Sequence, residues 1–244
     1  MSASQEGLTA PAEAVRVGRD GGETPLARTL AREHALALTV DGAPFARLVC
    51  TRSHLRQLVL GRLCTAGRIA AAADVLALTF SGDETAAEAR LRPGAAGRGD
   101  VPPADRSGWR SEDIFRLAAA VRETMPLHDE TMGTHGAALL HRGAVLCCRE
   151  DIGRHNAIDK AVGAALERGV PLSECVLYTT GRIAVDIAGK AAAAGVGVLA
   201  SRTLPTAEAV ALARSLGLTL IGRAWDEQYE VYAGAAATTR KQQK

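Results

Sequence analysis

The segment 147–160, CCREDIGRHNAIDK, concentrates acids, bases and amides as no other stretch of the chain does. Upstream, Ala144 to Cys148 form an apolar run short enough for a strand. Downstream, Ala157, Ile158, Ala161, Val162, Ala165 and Leu166 recur at helical spacing. The polar residues therefore fall where a strand gives way to a helix, with Gly153 allowing a tight turn. A helix N-terminus presents unpaired N–H groups and the positive end of its dipole, which suits an anion. Arg154 and His155 add donors there. A plainer assignment has Glu150 and Asp151 stabilising the first helical turn and Asn156 capping it. The joint presence of Arg, His, Asn, Asp and Lys favours a ligand site.

The surrounding elements must carry that site. Residues 1–27 are rich in Ala, Gly and Glu without period and read as a disordered lead. Ala35 to Val40, the turn Asp41-Gly42 and Phe45 to Cys50 read as a β-hairpin. Ser53 starts a helix with Leu55, Leu58, Val59 and Leu63 on one face. Asp74 to Phe80 and Ala86 to Leu91 read as a second strand pair. The Gly- and Pro-rich stretch 93–106 is a loop or domain boundary. Ser111 begins another helix, with Ile114, Leu117 and Val121 inward, and Pro126 stops it. Ala137 to Leu140, the turn Arg142-Gly143 and Ala144 to Cys148 form a further hairpin.

From there the pattern alternates: strand Cys175–Tyr178, helix Ile183–Ala194, strand Val196–Leu199, helix Thr206–Leu216, strand Leu218–Ile221. Such alternation implies parallel strands with crossover helices. Open α/β sheets bind ligands at the carboxyl ends of their strands. Three polar strand-to-helix loops, 150–156, 179–182 and 201–206, then bring Arg154, His155, Arg182 and Arg202 to one crevice, a mix that fits phosphate or another anion. Taken singly, Thr180-Gly181-Arg182 is a turn with a solvated Arg and Pro205-Thr206 is a helix start. Their convergence makes the site.

Composition narrows the function. The chain has 244 residues, 47% hydrophobic but only 3% aromatic, so its core is Ala, Val and Leu. Few aromatics leave little for stacking single-stranded nucleic acid, and a formal charge of +2 provides no general basic field. No nucleic-acid partner is expected. The longest apolar run, 191–200, is too short to span a bilayer, and the N-terminus has no secretory pattern. Five cysteines (Cys50, Cys64, Cys147, Cys148 and Cys175) make no disulfide framework and no Cys-x-x-Cys pair. A reduced cytoplasm is the expected setting. His135 is followed by Gly136-Ala137, so it lacks the Glu of a zinc deaminase signature, and no Pro-Cys-x-x-Cys follows. No metal site is expected. Walker, dinucleotide-fingerprint and nucleophile-elbow motifs are absent.

EDIGRHNAIDK, preceded by TMGTHGAALL, resembles the formate dehydrogenase accessory sulfurtransferase family, FdhD. TTGRIAVDIAGKA resembles that family's Ser-Gly-Arg helix, LPTAEAVALA its Pro-Thr helix and YEVYAG its closing strand. VDGAPFARLVCTRSHLRQLVLGRLCTAGRI resembles its opening hairpin and helix. The resemblance runs from about Glu33 to Gly234. It implies an α/β fold: a cytidine-deaminase-like αβα layered core over residues 106–234, a small N-terminal α+β subdomain over 28–105, and a tail at 235–244. It implies a sulfur carrier that receives a persulfide from a cysteine desulfurase. The sulfur passes to the molybdenum bis(molybdopterin guanine dinucleotide) cofactor for formate dehydrogenase. The family's Cys-Gly-x-Cys loop falls where this chain has Asp105-Arg106-Ser107-Gly108-Trp109-Arg110, without cysteine. Its Gly-Phe-x-Arg segment reads Gly222-Arg223-Ala224-Trp225.

Motifs and resemblance together imply a cofactor-binding set of His135, Arg154, His155, Asn156, Asp159, Lys160, Arg182, Lys190, Arg223, Trp225 and Gln228. In it Arg154, Arg182 and Lys190 bring positive charge to phosphates. His135, His155 and Asn156 hydrogen-bond the ligand, and Asp159 and Asp186 orient basic neighbours. No catalytic residue is assigned; Cys147 and Cys148, which face opposite sides of the sheet, are weak candidates, because Glu150 and Asp151 oppose any thiolate stabilisation by Arg149 and buried or half-buried strand cysteines are the plainer assignment. Cysteine desulfurase and formate dehydrogenase are the expected partners, and a homodimer the expected assembly. The alternative function is that of a non-catalytic paralogue, a chaperone or regulator that binds a nucleotide-like ligand.

Overall fold

The computed structural model describes residues 7–99, 103, 105 and 107–234. Four strands, β1 (Thr9–Val17), β2 (Glu23–Ala31), β3 (His34–Val40) and β4 (Ala43–Cys50), lead into helix α1 (Leu55–Thr65) and strands β5 (Val75–Phe80) and β6 (Ala86–Leu91). Helices α2 (Ser111–Glu123) and α3 (Pro126–Thr131) follow, then β7 (His135–His141), β8 (Ala144–Asp151) and α4 (Arg154–Glu167). The chain ends with β9 (Cys175–Thr179), α5 (Val185–Ala194), β10 (Val198–Ser201), α6 (Ala207–Leu216), β11 (Thr219–Gly222) and β12 (Glu230–Ala233).

The core is a six-stranded sheet of order β12-β11-β10-β9-β7-β8. Strands β9, β10 and β11 run parallel, as their crossover helices require, while β7, paired to β9, and β12, paired to β11, are antiparallel to them. Side chains alternate between two apolar layers, as strand geometry dictates. Leu139, Leu177, Leu199 and Leu220 face α1, α4, α5 and α6. Leu140, Val176, Tyr178, Val198 and Ile221 face α2. The αβα layering expected of the core is therefore present. Cys147 belongs to the first layer and Cys148 packs against the second.

A four-stranded sheet, β4-β3-β6-β5, makes the N-terminal subdomain. Its β3–β4 turn, Asp41-Gly42, has φ of 51° and 79°, and the β7–β8 turn, Arg142-Gly143, has 49° and 78°. Both central residues are left-handed, the conformation that two-residue hairpins favour.

Two expectations need correction, and the plainer assignment at 150–156 does not hold. Within residues 1–27, read as a disordered lead, Thr9–Val17 forms β1 and the segment from Glu23 forms the start of β2. Its polar, Ala-rich strands are mostly exposed, so they carry no buried alternation to read. Residues 1–6 and the tail 235–244 lie outside the described residues. Pro126 does not only end α2: it occupies the first turn of α3, where its missing N–H costs nothing. Glu150 and Asp151 are strand residues, and the helix starts at Arg154 with Gly153 as its N-cap. Among the described residues no helix is long and apolar enough to cross a membrane.

Helix α1 and helix α4 join subdomain to core. A Cβ at Gly61 would collide with the carbonyl oxygen of Asp159, and one at Gly163 with that of Gln57, so the two backbones touch directly. Two buried ion pairs flank this contact. Lys160 Nζ lies 2.6 Å from Asp151 Oδ2 and donates to the hydroxyls of Thr51 and Ser53 and to the carbonyl oxygens of Thr51 and Glu150. Lys190 Nζ lies 2.6 and 2.7 Å from the two oxygens of Asp159, and Thr65 Oγ1 donates to the same carboxylate. Removing one partner strands a buried charge. Asp159→Ala should therefore lower stability by about 3–5 kcal/mol, against at most about 1 kcal/mol for Arg52→Ala in the exposed Arg52–Glu84 pair. Urea denaturation of the two variants compares them directly.

Candidate functional site

The carboxyl ends of β9, β10 and β11 open onto a cavity of about 340 Å³. Tyr178, Thr180, Arg202, Trp225 and Asp226 form its sheet side; Val121, Arg122, Met125, His128, Asp129 and Met132 form a wall from α2 and α3. Because β7 is antiparallel to β9, its first residue, His135, comes to this same end. The loops are held by short polar contacts. Thr180 N donates to Gly136 O at 2.9 Å, and Gly136 N donates back to Thr180 Oγ1 at 2.9 Å. Ser201 Oγ donates to Gly181 O at 2.8 Å.

Arg154 is placed by packing. Its stem crosses Gly181, where a Cβ would stand 2.9 Å from Arg154 Cβ and 3.1 Å from Cδ, so only glycine lets it lie there. Its Nε is buried and has no hydrogen-bond partner among the described residues. A buried unpaired donor is costly, and an anion at this end of the sheet would satisfy it. Arg202 stacks its guanidinium 5.6 Å from the centre of the Trp225 ring, within reach of a cation–π attraction. Arg122 pairs with Asp226 across the mouth. His135 feels this concentration of charge. Burial pushes its pKa down, and the charges of Arg154, His128 and Arg202 push it further.

His155 is tied at the rim. Its Nε2 lies 2.6 Å from Asp186 Oδ2, which leaves Nδ1 as the atom available to a ligand. His155 is thus the basic neighbour that Asp186 meets. Arg182 is exposed on the loop between β9 and α5.

Other residues of the expected set go elsewhere. Asn156 is buried, with Nδ2 donating to Val49 O at 2.7 Å and to Asp151 Oδ1 at 3.0 Å, so its amide serves the subdomain junction. Lys160, Asp159 and Lys190 are spent in the ion pairs described above, on the α1 side of α4. The helical period that brings Arg154 to the sheet end turns residues 159 and 160 inward. Arg223 is exposed, its Nε 3.6 Å from Glu230 Oε1, and Gln228 is exposed with its backbone oxygen accepting from Trp225 N. Neither lines the cavity. Glu150 accepts from the amides of Leu127 and His128 at 3.1 and 2.8 Å and from Thr134 Oγ1, fixing α3. Among the described residues no group of three or more His, Cys, Asp or Glu is arranged to hold a metal.

A model of the FdhD/NarQ family matches residues 94–239. The chain belongs to the FdhD/NarQ family. The sulfur carrier protein FdhD of Geobacillus kaustophilus (strain HTA426) is 32% identical over 229 residues, covering 83% of this chain and 87% of that one. Its namesake in Halalkalibacterium halodurans is 33% identical over 233 residues, covering 83% and 86%. A crystal structure of a formate dehydrogenase accessory protein from Desulfotalea psychrophila superposes with a TM-score of 0.82 at 25% identity, over 93% of this chain and 97% of that one. The match covers 93% of the chain, so the fold expected from EDIGRHNAIDK and its companions is that of the family.

The α2–α3 wall is the part of the site that sequence reasoning missed. His128, Met125, Met132 and Asp129 reach the cavity only because α3 turns the chain back over the strand ends. Pro126 followed by an acidic residue in the first turn is the signal for such a helix, but six residues show no apolar period. Arg202 was placed at the crevice by its loop, without a role of its own.

The pKa depression of His135 gives a direct check. In an NMR titration its ring should protonate at lower pH than an exposed histidine. Arg154→Ala should raise that midpoint, because it removes one of the repelling charges. An unchanged midpoint would place the guanidinium away from the ring.

Proposed function

We propose that this FdhD/NarQ family member acts in formate dehydrogenase maturation by holding the molybdopterin guanine dinucleotide cofactor as cargo at the carboxyl ends of β9, β10 and β11. The observation that carries this reading is the buried, unpartnered Nε of Arg154, set beside His135 and Arg202. A bound phosphate would take charge-assisted hydrogen bonds from these guanidinium groups, which favour planar, two-pronged contact with such oxyanions. The neighbouring cavity has an apolar floor of Val121, Met125 and Tyr178 with Trp225 at its side. Apolar and aromatic surface with few polar groups suits a planar heterocycle. The residues present thus fit a cargo that joins a fused ring to phosphates.

Each residue then has a task. Arg154 and Arg202 bind phosphate oxygens. His135, kept neutral by burial and by those same arginines, offers one ring N–H without adding charge. His155, held by Asp186, orients the ligand through Nδ1. Arg182 adds charge from the exposed loop. The relatives bear the name of sulfur carriers, and a cysteine desulfurase and formate dehydrogenase are the partners that such a role requires. A second reading, a ligand-binding chaperone without thiol chemistry, is favoured by the missing cysteines of the loop before α2.

Guanosine diphosphate is a simple probe of the phosphate and ring sites. In calorimetry the chain should bind it, and Arg154→Ala or Arg202→Ala should each weaken binding by about ten- to a hundred-fold, the value of one charged hydrogen bond to phosphate. Arg182→Ala should mainly reduce the dependence on salt, since an exposed charge acts through a screened field. No heat at millimolar nucleotide with folded protein would sink the reading.

A further inference from the structure

A protein that carries sulfane sulfur needs a thiol whose sulfur can be reached by the donor's persulfide and can then reach the acceptor. All five cysteines of the chain lie among the described residues, and their surroundings answer this requirement one by one. Cys50 is fully buried, its Sγ turned to His34 O at 3.6 Å inside the subdomain. Cys64 is buried on α1 in the same apolar cluster. Cys147 is buried, its Sγ turned to Ala161 O at 3.8 Å, on the α4 face of the sheet. Cys175 begins β9, at the end of the sheet away from the cavity, and is fully buried with Sγ turned to Pro171 O at 3.5 Å.

Cys148 is the one cysteine that is not buried, and it is only half-exposed. It is also the one cysteine on the cavity's face of the sheet, so it is the strongest rival. Its place in the register disfavours it. Cys148 pairs with Ala138, and Ala138 with Tyr178, so β7 separates it from the cavity floor. It also lies three residues back from Asp151, which pairs with His135 at the site end. That is roughly 10 Å along the strand.

We infer that this chain carries no sulfur on its own cysteines, so that the persulfide of a sulfur-donating protein has to be presented at the crevice itself while this chain holds the acceptor. Its place is that of a cofactor holder between a persulfide-bearing donor and the receiving enzyme. This rests on the proposed maturation role only for the identity of the acceptor; the thiol argument stands on the cysteines alone.

The thiol chemistry agrees with the geometry. Burial pushes the thiols of Cys50, Cys64 and Cys175 up to about 12. It raises those of Cys147 and Cys148 as well; Arg149 offsets part of the rise at Cys147, and a hydrogen bond with Thr124 together with Arg149 offsets part of it at Cys148. At neutral pH the attacking thiolate form is therefore scarce at every one of them.

The test uses the folded, full chain incubated with a cysteine desulfurase and excess cysteine, followed by intact mass measurement without reductant. The expected result is no gain of sulfur. A reductant-labile gain of one sulfur atom that vanishes in Cys148→Ser, or in any other single Cys→Ser variant that folds, would overturn the inference. In a second arm, Cys148→Ser is expressed in cells lacking their own family member. It should restore formate dehydrogenase activity to the level of the natural chain; loss of activity by a folded Cys148→Ser would also overturn it. A natural chain that restores nothing counts against the maturation role alone, and the mass measurement then still decides the thiol question.

Discussion

Two carboxylates and two ammonium groups, sealed from water at the α1–α4 junction, are the constraint around which the rest is arranged. Asp151 ends β8 and takes hydrogen bonds from Thr51, Gly153 and Asn156 in addition to Lys160. It thereby fixes the turn that launches α4. Asp159, two turns on, receives Lys190 from α5 and Thr65 from α1. Ions removed from water are tolerated only when every lone pair and proton finds a partner. The network meets that demand with groups drawn from both subdomains, so neither can shift without leaving a charge unpaired.

The cleft inherits its geometry from this arrangement. With the first turn of α4 held from behind, Arg154 has one direction left, forward across Gly181. There it meets His135 from β7 and Arg202 from the end of β10. The repulsion among these groups is sustained because the ion pairs behind them fix the backbone. A polar site can store unsatisfied donors for a ligand only on such a rigid frame.

Much of this was written in the sequence. Asp41-Gly42 and Arg142-Gly143 mark hairpins through their demand for left-handed backbone, and the alternating pattern after Cys175 marks parallel strands. EDIGRHN marks the strand-to-helix junction. What could not be read has a common physical cause: it depends on partners distant in the chain. Lys160 and Lys190 look like phosphate ligands because charged residues are normally solvated, and only Thr51, Asp151, Asp159 and Thr65 in place reveal them as interior groups. Asn156 is diverted to Val49 in the same way. The β1–β2 hairpin was hidden for the opposite reason. Its residues bury so little that they leave no alternation of polar and apolar positions to detect.

The bare backbone contact at Gly61 and Gly163 has a mechanical meaning. Two helices that touch main chain to main chain have no compressible side-chain layer between them, so the interface behaves as a weld rather than a hinge. The other wall of the cleft, the short α3 and the end of α2, is built differently. That wall is anchored through Glu150 and presents Met125 and Met132, side chains whose flexible thioethers conform to irregular surfaces. The cleft thus sets two kinds of surface against each other: a charged edge on a rigid backbone, and a flank whose backbone is anchored by Glu150 and whose pliancy lies in two methionine side chains.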